Sequence, residues 1–319
     1  MRVCKTISLI RPIRREMKKI WGVLLILLLM TACQERQHQR SIYYWSTTFQ
    51  LDSIKKSFLK EHQINRIYLR YFDVVVDDNG EPMPNATVRF KDSIPQQLEI
   101  IPTVFIVNDC MKKDVSDLPE KMLRRILQMN ETHHVGKVKE IQIDCDWTGS
   151  TRKTFFSFME KLRTLAKEQG IRLSSTIRLH QLAQTPPPAD RGILMMYNTG
   201  DFTQLSCEHP ILDMRDVKPY LPALRRYKLP LSTAYPLYRW KIVFRNGRYI
   251  GILHTDDELP VLPGDSIAIR QPELSEILEA KEAVSKQQAR ANDEVILFDL
   301  NNSNITRFKH TDYEEILNH

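Results

Sequence analysis

Glu140-Ile-Gln-Ile-Asp-Cys-Asp-Trp-Thr-Gly149 is the stretch whose reading decides the fold. Its residues alternate with a period of two, the signature of a strand. Glu140, Gln142, Asp144 and Asp146 share one face, and Ile141, Ile143, Cys145 and Trp147 share the other. A helix pattern follows at once. Ser150 or Thr151 is placed to cap it. Phe155, Phe158, Met159, Leu162, Leu165 and Ala166 form its apolar side, and Gly170 stops it. A buried strand that delivers two carboxylates and then feeds a helix is how sites begin in closed barrels of alternating strands and helices.

The same alternation extends in both directions. Strands are expected at Ser41–Ser46, Ile64–Val76, Glu99–Asn108, Val138–Asp146, Ile171–Leu179, Gly192–Tyr197 and Leu231–Tyr238. Helices are expected at Asp52–His62, with Ile54, Phe58 and Leu59 on its apolar side, at Leu118–Met129, from residue 151 to about Gln169, and near Pro219–Arg226. Asp77-Asp78-Asn79-Gly80 reads as a turn. Asn246-Gly247 reads as a hairpin turn joining Trp240–Phe244 to Tyr249–Leu253. Beyond about residue 255 the pattern is atypical. It holds a helix over 272–289 and a short strand, Val295–Leu300, placed to close a barrel. Six or seven strand–helix units imply a mostly parallel sheet with helices outside. The fold class is α/β, a TIM-barrel-like (β/α)8 domain over 41–319, with room for an incomplete or distorted closure. The rival, an open doubly wound sheet, is disfavoured because no GxGxxG or GxxxxGK[ST] phosphate loop occurs and the chain has 10 glycines. No cofactor is expected.

Residues 1–33 read as a leader outside the fold. Seven basic residues precede the apolar run Ile20–Leu29, and Met30-Thr31-Ala32-Cys33 follows. This ending resembles the lipobox of bacterial lipoproteins, which implies acylation of Cys33 and a membrane anchor. Met17, followed by Lys18 and Lys19, is an alternative start. Residues 34–40 form a polar tether. The tether lacks the acidic cluster that resembles the export signal of Bacteroidetes surface lipoproteins, so an outer-membrane anchor facing the periplasm is expected. The chain carries +7, but residues 1–32 hold seven Lys and Arg against one Glu, leaving about +1 for the rest. A nucleic-acid partner is therefore not expected. Cys110, Cys145 and Cys207 match no metal-knuckle spacing. Cys145 reads as a buried small apolar residue, and a Cys110–Cys207 disulfide is an alternative.

Residues 138–180 resemble a bacterial family of uncharacterised function, DUF3142. The resemblance rests on Ile-Asp144-Cys-Asp146-Trp-Thr, the helix after it and Ile-Arg-Leu-Ser-Ser-Thr-Ile177. The Tyr-Tyr-Trp45 strand and Ile-Tyr-Leu-Arg-Tyr-Phe-Asp73 extend it, and it covers most of 41–255. It implies a glycoside-hydrolase-type barrel and carries no activity of its own. A second resemblance is to chitinase-like barrels, with Asp-x-x-Asp-x-Asp-x-Glu on the fourth strand and Met-x-Tyr-Asp on the sixth. Asp144 and Asp146 match the last two aspartates. The catalytic acid would fall at 148, where this chain has Thr, and Met195-Met196-Tyr197-Asn198 has Asn for the last Asp.

The candidate catalytic residues are Asp144 and Asp146, facing the barrel axis. A charge there needs partners, with Arg70 or Arg178 in reach for Asp144. The structural alternative makes Asp144 an ion-pair member and Asp146 a cap of the next helix. Glycosidic chemistry would require a further carboxylate across the cleft. Asp73, Asp201, Glu208 and Asp213 are candidates. Tyr71, Trp147, Tyr197, Tyr238, Arg70 and Arg178 are the candidate substrate-binding residues, with Tyr44, Trp45, Tyr235, Trp240 and Arg239 also near strand ends. No metal site is expected. His133-His134 reads as solvated loop, and His62, His180, His209 and His254 stand apart in sequence. Two functions remain open: a barrel that binds or hydrolyses an envelope or environmental glycan, and a non-catalytic carbohydrate-binding or envelope-assembly lipoprotein.

Overall fold

The computed structural model describes residues 38–253 and 261–318. The leader, Cys33, most of the tether and His254 lie outside the described residues. Eight parallel strands form a closed barrel: β1 Gln39–Tyr44, β2 Arg66–Val76, β3 Glu99–Ile106, β4 Glu140–Asp144, β5 Arg172–Ile177, β6 Arg191–Met195, β7 Leu231–Pro236 and β8 Glu294–Phe298. Each pairs with the next, and β8 pairs with β1, so the ring has no open edge. The barrel is complete, and the stretch read as atypical supplies its last strand.

The helices lie where amphipathic spacing places them: α1 Ser53–Glu61, α2 Leu118–Thr132, α3 Arg152–Glu168, α4 Leu221–Arg226, α5 Leu274–Gln287 and α6 His310–Leu317. Asp52 caps α1 by accepting from the Lys55 amide at 3.0 Å. Two details differ from expectation. Ile54 is 46% exposed, because α1 buries Phe58 and Leu59 and turns Ile54 outward. Thr151 precedes α3, but its hydroxyl accepts from the Thr148 amide at 2.9 Å rather than from the helix. Between β7 and α5 the chain adds an antiparallel sheet of Trp240–Arg245, Arg248–Leu253 and Asp265–Arg270. Its hairpin turns at Asn246 and Gly247, both with positive φ, as an Asn-Gly turn requires.

Two apolar cores result. The larger lies between the strands and the outer helices. The smaller fills the axis with Tyr43, Tyr68, Ile101, Ile193, Met195, Ala234 and Ile296. Side-chain hydrogen bonds cross the barrel interior. Gln142 accepts from Tyr43 at 2.8 Å and from Thr103 at 3.3 Å.

Where the strands begin, an ion cluster closes the floor. Glu294 accepts from Arg66 at 2.9 Å, Ser41 at 2.6 Å, Ser232 at 3.0 Å and Tyr68 at 3.1 Å, and also pairs with Arg191. Arg191 and Arg172 hold Glu140 at 2.9 and 3.2 Å. Burial would raise the Glu294 carboxyl, but the two guanidiniums and the hydroxyls overcome it and bring it down to about 2.

Candidate functional site

The strands end at a mouth. There, an open cavity of about 530 Å³ is lined by Trp45, Asp144, Asp146, Arg178, Tyr197 and Asp299, among others. A second hollow of about 440 Å³ adjoins it and shares Asp146, Arg178, Tyr197 and Asn198. Asp144, the last residue of β4, points inward and is 4% exposed. It accepts from Thr176 at 2.7 Å and from Arg178 at 3.3 Å. Asp146 stands two residues higher, with its side chain 54% exposed, and accepts from Arg178 Nε at 2.5 Å. One guanidinium thus clamps both carboxylates. Arg178 itself is held by the turn after β5, where its amide donates to Gln181 at 2.9 Å.

Burial pushes the Asp144 carboxyl above the ordinary aspartate range. Arg178 opposes the rise and Asp146 adds to it. The Tyr197 and Tyr238 phenols are likewise pushed up by burial. Asp146 does not cap α3, since Thr151 occupies that position.

Tyr197, Tyr238, Arg70 and Arg178 meet in this cavity, with Trp45, Arg239 and Trp240. Arg70 does not reach the β4 pair. It binds Asp73 through Nε at 2.8 Å and lies 5.3 Å from the Trp45 ring centre, bracing that indole in the wall.

Two candidates fall elsewhere, and their assignment to ligand binding is corrected. Tyr71 is fully buried on the outer face, donating to Asn130 of α2 at 2.7 Å. The pairing of β2 with β3 shifts register between Arg70 and Phe72, and such an irregularity resets which side chains face inward. Trp147 is fully buried against Phe155 and Phe156 of α3, on the helix side that its parity with Ile143 and Cys145 dictates. Tyr44 and Tyr235 are buried too. Tyr44 donates to Thr48 and Gln50 carbonyls at 2.8 and 3.0 Å, and Tyr235 to Asn292 at 2.9 Å.

None of the proposed carboxylate partners lines the cavity. Asp73 is bound by Arg70, Asp213 by Arg215 and Asp201 by Thr203, while Glu208 is exposed. Cys110, Cys145 and Cys207 are free thiols, so no Cys110–Cys207 bridge exists.

The carboxyl that sequence reading missed is Asp299. It follows the last residue of β8 and lines the same cavity. In an eight-strand ring β8 stands opposite β4, so Asp299 lines this cavity from the strand across the ring from the β4 pair. Burial drives its carboxyl up to about 6, against a 2.5 Å hydrogen bond from Asn304 and one from the Trp45 amide that pull the other way. Phe298 was missed as well. Its ring lies 5.1 to 5.8 Å from those of Tyr197, Trp45 and Tyr238 and joins the aromatic wall together. The available signal was position. A strand that closes the barrel must end at the mouth. Among the described residues the lining offers carboxylate, amide and hydroxyl oxygens but no His or Cys.

Solved structures resemble this architecture. The spore cortex-lytic enzyme SleL of Bacillus cereus matches with a TM-score of 0.55 and 14% identity, over 88% of this chain and 73% of that one. A chitinase of Chromobacterium violaceum matches at 0.57 and 12%, over 88% and 98%. The GH18 chitinase ChiB of Flavobacterium johnsoniae matches at 0.55 and 13%, over 88% and 93%. The fold is a glycosidase-like (β/α)8 barrel. No family model and no curated protein matches the chain. At these identities the likeness establishes the fold alone, and within it Asp144 ends the fourth strand and Asp146 stands two residues beyond. Thr148 lines the adjoining hollow with its hydroxyl 2.9 Å from Ser150. It is not a group that could protonate a leaving alcohol.

Proposed function

We propose that this protein is a lipid-anchored glycoside hydrolase acting on a glycan of the bacterial envelope or its surroundings. The observation that carries the reading is the meeting of three carboxyls in one open, aromatic-walled cavity, two from β4 and one from the opposite strand. Flat aromatic walls suit the apolar faces of sugar rings. Several carboxyls around one cleft, two of them raised by burial, suit acid–base cleavage.

Asp299, whose carboxyl keeps its proton to about pH 6, donates it to the glycosidic oxygen as the carbon–oxygen bond breaks. The β4 carboxylates face the positive charge that develops on the sugar. Water then adds to the anomeric carbon, and Asp146, the more accessible of the two, takes its proton. The names of the similar structures, chitinases and a cortex-lytic enzyme, suggest chitin fragments and cell-wall glycan strands as the first substrates to test. The lipobox-like ending at Cys33 motivates the anchor.

The second reading, a non-catalytic carbohydrate-binding or envelope-assembly lipoprotein, is favoured by Thr148 and by the Arg178 clamp on both aspartates. A binding and hydrolysis screen of the full-length protein against these glycans separates the two. Asp299→Asn and Asp146→Asn variants serve as controls. Cleavage by the wild type, lost in folded variants, supports the hydrolase. Saturable binding with no cleavage, unchanged by both substitutions, replaces it with the binding module.

A further inference from the structure

Away from the mouth, where α1 ends ahead of β2, the fold brings together three metal-ligating side chains that sequence separates. These are Glu61, His62 and His310, and one donor atom from each lies within 4.8 Å of the others. Glu61 ends α1, His62 caps it, and His310 is the first residue of α6. His62 is the fixed member, 2% exposed, while Glu61 and His310 are exposed. The two imidazole rings lie 4.7 Å apart at 24°.

His62 Nδ1 is 2.7 Å from Glu314 Oε1, and Arg40 holds the other Glu314 oxygen at 3.0 Å. A carboxylate already held by a guanidinium accepts the Nδ1 proton. This fixes the tautomer and leaves the lone pair on Nε2. A carboxylate behind an imidazole is the arrangement that orients and strengthens metal-binding histidines.

We propose that His62 Nε2, a ring nitrogen of His310 and a carboxylate oxygen of Glu61 bind one divalent transition-metal ion of the zinc class, with water completing the shell. Zinc bonds of about 2.1 Å in a tetrahedral site place ligand atoms about 3.4 Å apart. Contraction from the present spacing falls to the two exposed side chains, with Glu61 giving up its surface bond from Ser57 and the His310 ring turning out of its stack, while the buried imidazole stays in place. Two nitrogens and one oxygen form a donor set for zinc rather than for calcium or magnesium. The ion would tie α6 to α1 and so pin the end of the chain to the first helix of the barrel. Because the carboxyl cavity lies where the strands end, the site is structural and distinct from it.

The test uses full-length protein made without a polyhistidine tag, stripped with EDTA and titrated with zinc chloride in a calorimeter. Thermal unfolding is followed with and without zinc. One equivalent of zinc should bind and raise the unfolding temperature. His310→Ala and Glu61→Gln, both at exposed positions, should each weaken binding by at least about tenfold. His134→Ala, at an exposed histidine elsewhere, should bind like the wild type. Cobalt should give the intense visible absorption of a four-coordinate site, and the His310→Ala protein should lose it. Absence of saturable zinc binding, or equal affinity in the wild type and His310→Ala, overturns the proposal.

Discussion

Asp299→Asn should make the protein more stable at neutral pH while abolishing turnover. The carboxyl titrates near 6 in the folded chain, against about 3.9 for an unperturbed aspartate. About two pH units correspond to roughly 3 kcal/mol. Solvent at the cavity wall screens part of this, leaving about 2 kcal/mol. The sign follows from proton counting. Between about pH 3.9 and 6 the folded state holds more protons than the unfolded state, so stability falls as pH rises through that window. Above it the folded chain carries the full cost of an ionised, poorly solvated carboxylate. An asparagine never ionises, and its amide oxygen can still accept from Asn304, as Asp299 does at 2.5 Å. Urea unfolding of both proteins from about pH 4 to about pH 8 gives the difference as a function of pH, in which the other titrating groups largely cancel. The variant should gain about 2 kcal/mol relative to the wild type between the two ends of that range. A pH-independent difference, or a variant that loses ground as pH rises, would refute the raised carboxyl and with it Asp299 as proton donor.

Glu294→Gln leaves Arg66 and Arg191 facing a neutral amide, and should cost about 3–5 kcal/mol at neutral pH. The Glu294 carboxyl is depressed to about 2, so its stabilisation is complete above about pH 4.5 and fades toward pH 2; the loss measured by urea unfolding should shrink over that window. Arg178→Met removes the cation over buried Asp144, whose carboxyl should then rise further. That defect should be worst in alkaline buffer and relieved by acid, with the relief coming at higher pH than for Glu294→Gln because the Asp144 carboxyl is raised and the Glu294 carboxyl depressed, when unfolding is followed across pH. Trp147→Ala should cost about 3–5 kcal/mol by leaving a hole against α3. Trp45→Ala should cost much less stability and instead weaken glycan binding, as paired unfolding and binding measurements would show.

The strand and helix order was legible because each element announces itself locally. A period of two runs through Glu140–Asp144, and a helical apolar stripe follows on Phe155, Phe158, Met159 and Leu162. The inward aim of Asp144 could be read from parity alone. Two kinds of information were not local. Tyr71 follows an irregularity in the pairing of β2 with β3, which the sequence of β2 alone does not display. Asp299 sits at the end of a five-residue strand, and its meaning depends on which strand lies opposite, a fact created only when β8 pairs with β1. His62 and His310 are a similar case, because 248 positions separate them until α6 packs beside α1. Trp147 is different. Its parity with Ile143 already assigned it to the helix side, and its place as a candidate ligand contact set aromatic character above alternation.

The two ends of the barrel treat their buried carboxyls differently, an argument for function at the mouth that needs no resemblance. Both carry buried acidic groups on inward-facing strand positions. At the floor each carboxylate is matched. Glu294 has two guanidiniums and three hydroxyls, Glu140 has two guanidiniums, and the Glu294 carboxyl is driven down. That is how a protein stabilises a barrel end it needs closed. At the mouth one guanidinium is shared by Asp144 and Asp146, Asp299 has hydrogen bonds from Asn304 and Trp45 and only the weak pull of the Lys55 ammonium against its burial, and both Asp144 and Asp299 are driven up. A fold that compensates Glu294 so fully has the means to compensate Asp299, and does not. Under-compensated carboxyls facing an open cavity are costly to stability, and such cost persists where protonation and exposed charge serve a reaction. If the mouth were a structural end like the floor, Asp299→Asn and Asp144→Asn would both destabilise the chain at neutral pH, as Glu294→Gln should. A gain in stability from either would set the mouth apart from the floor before any substrate is known.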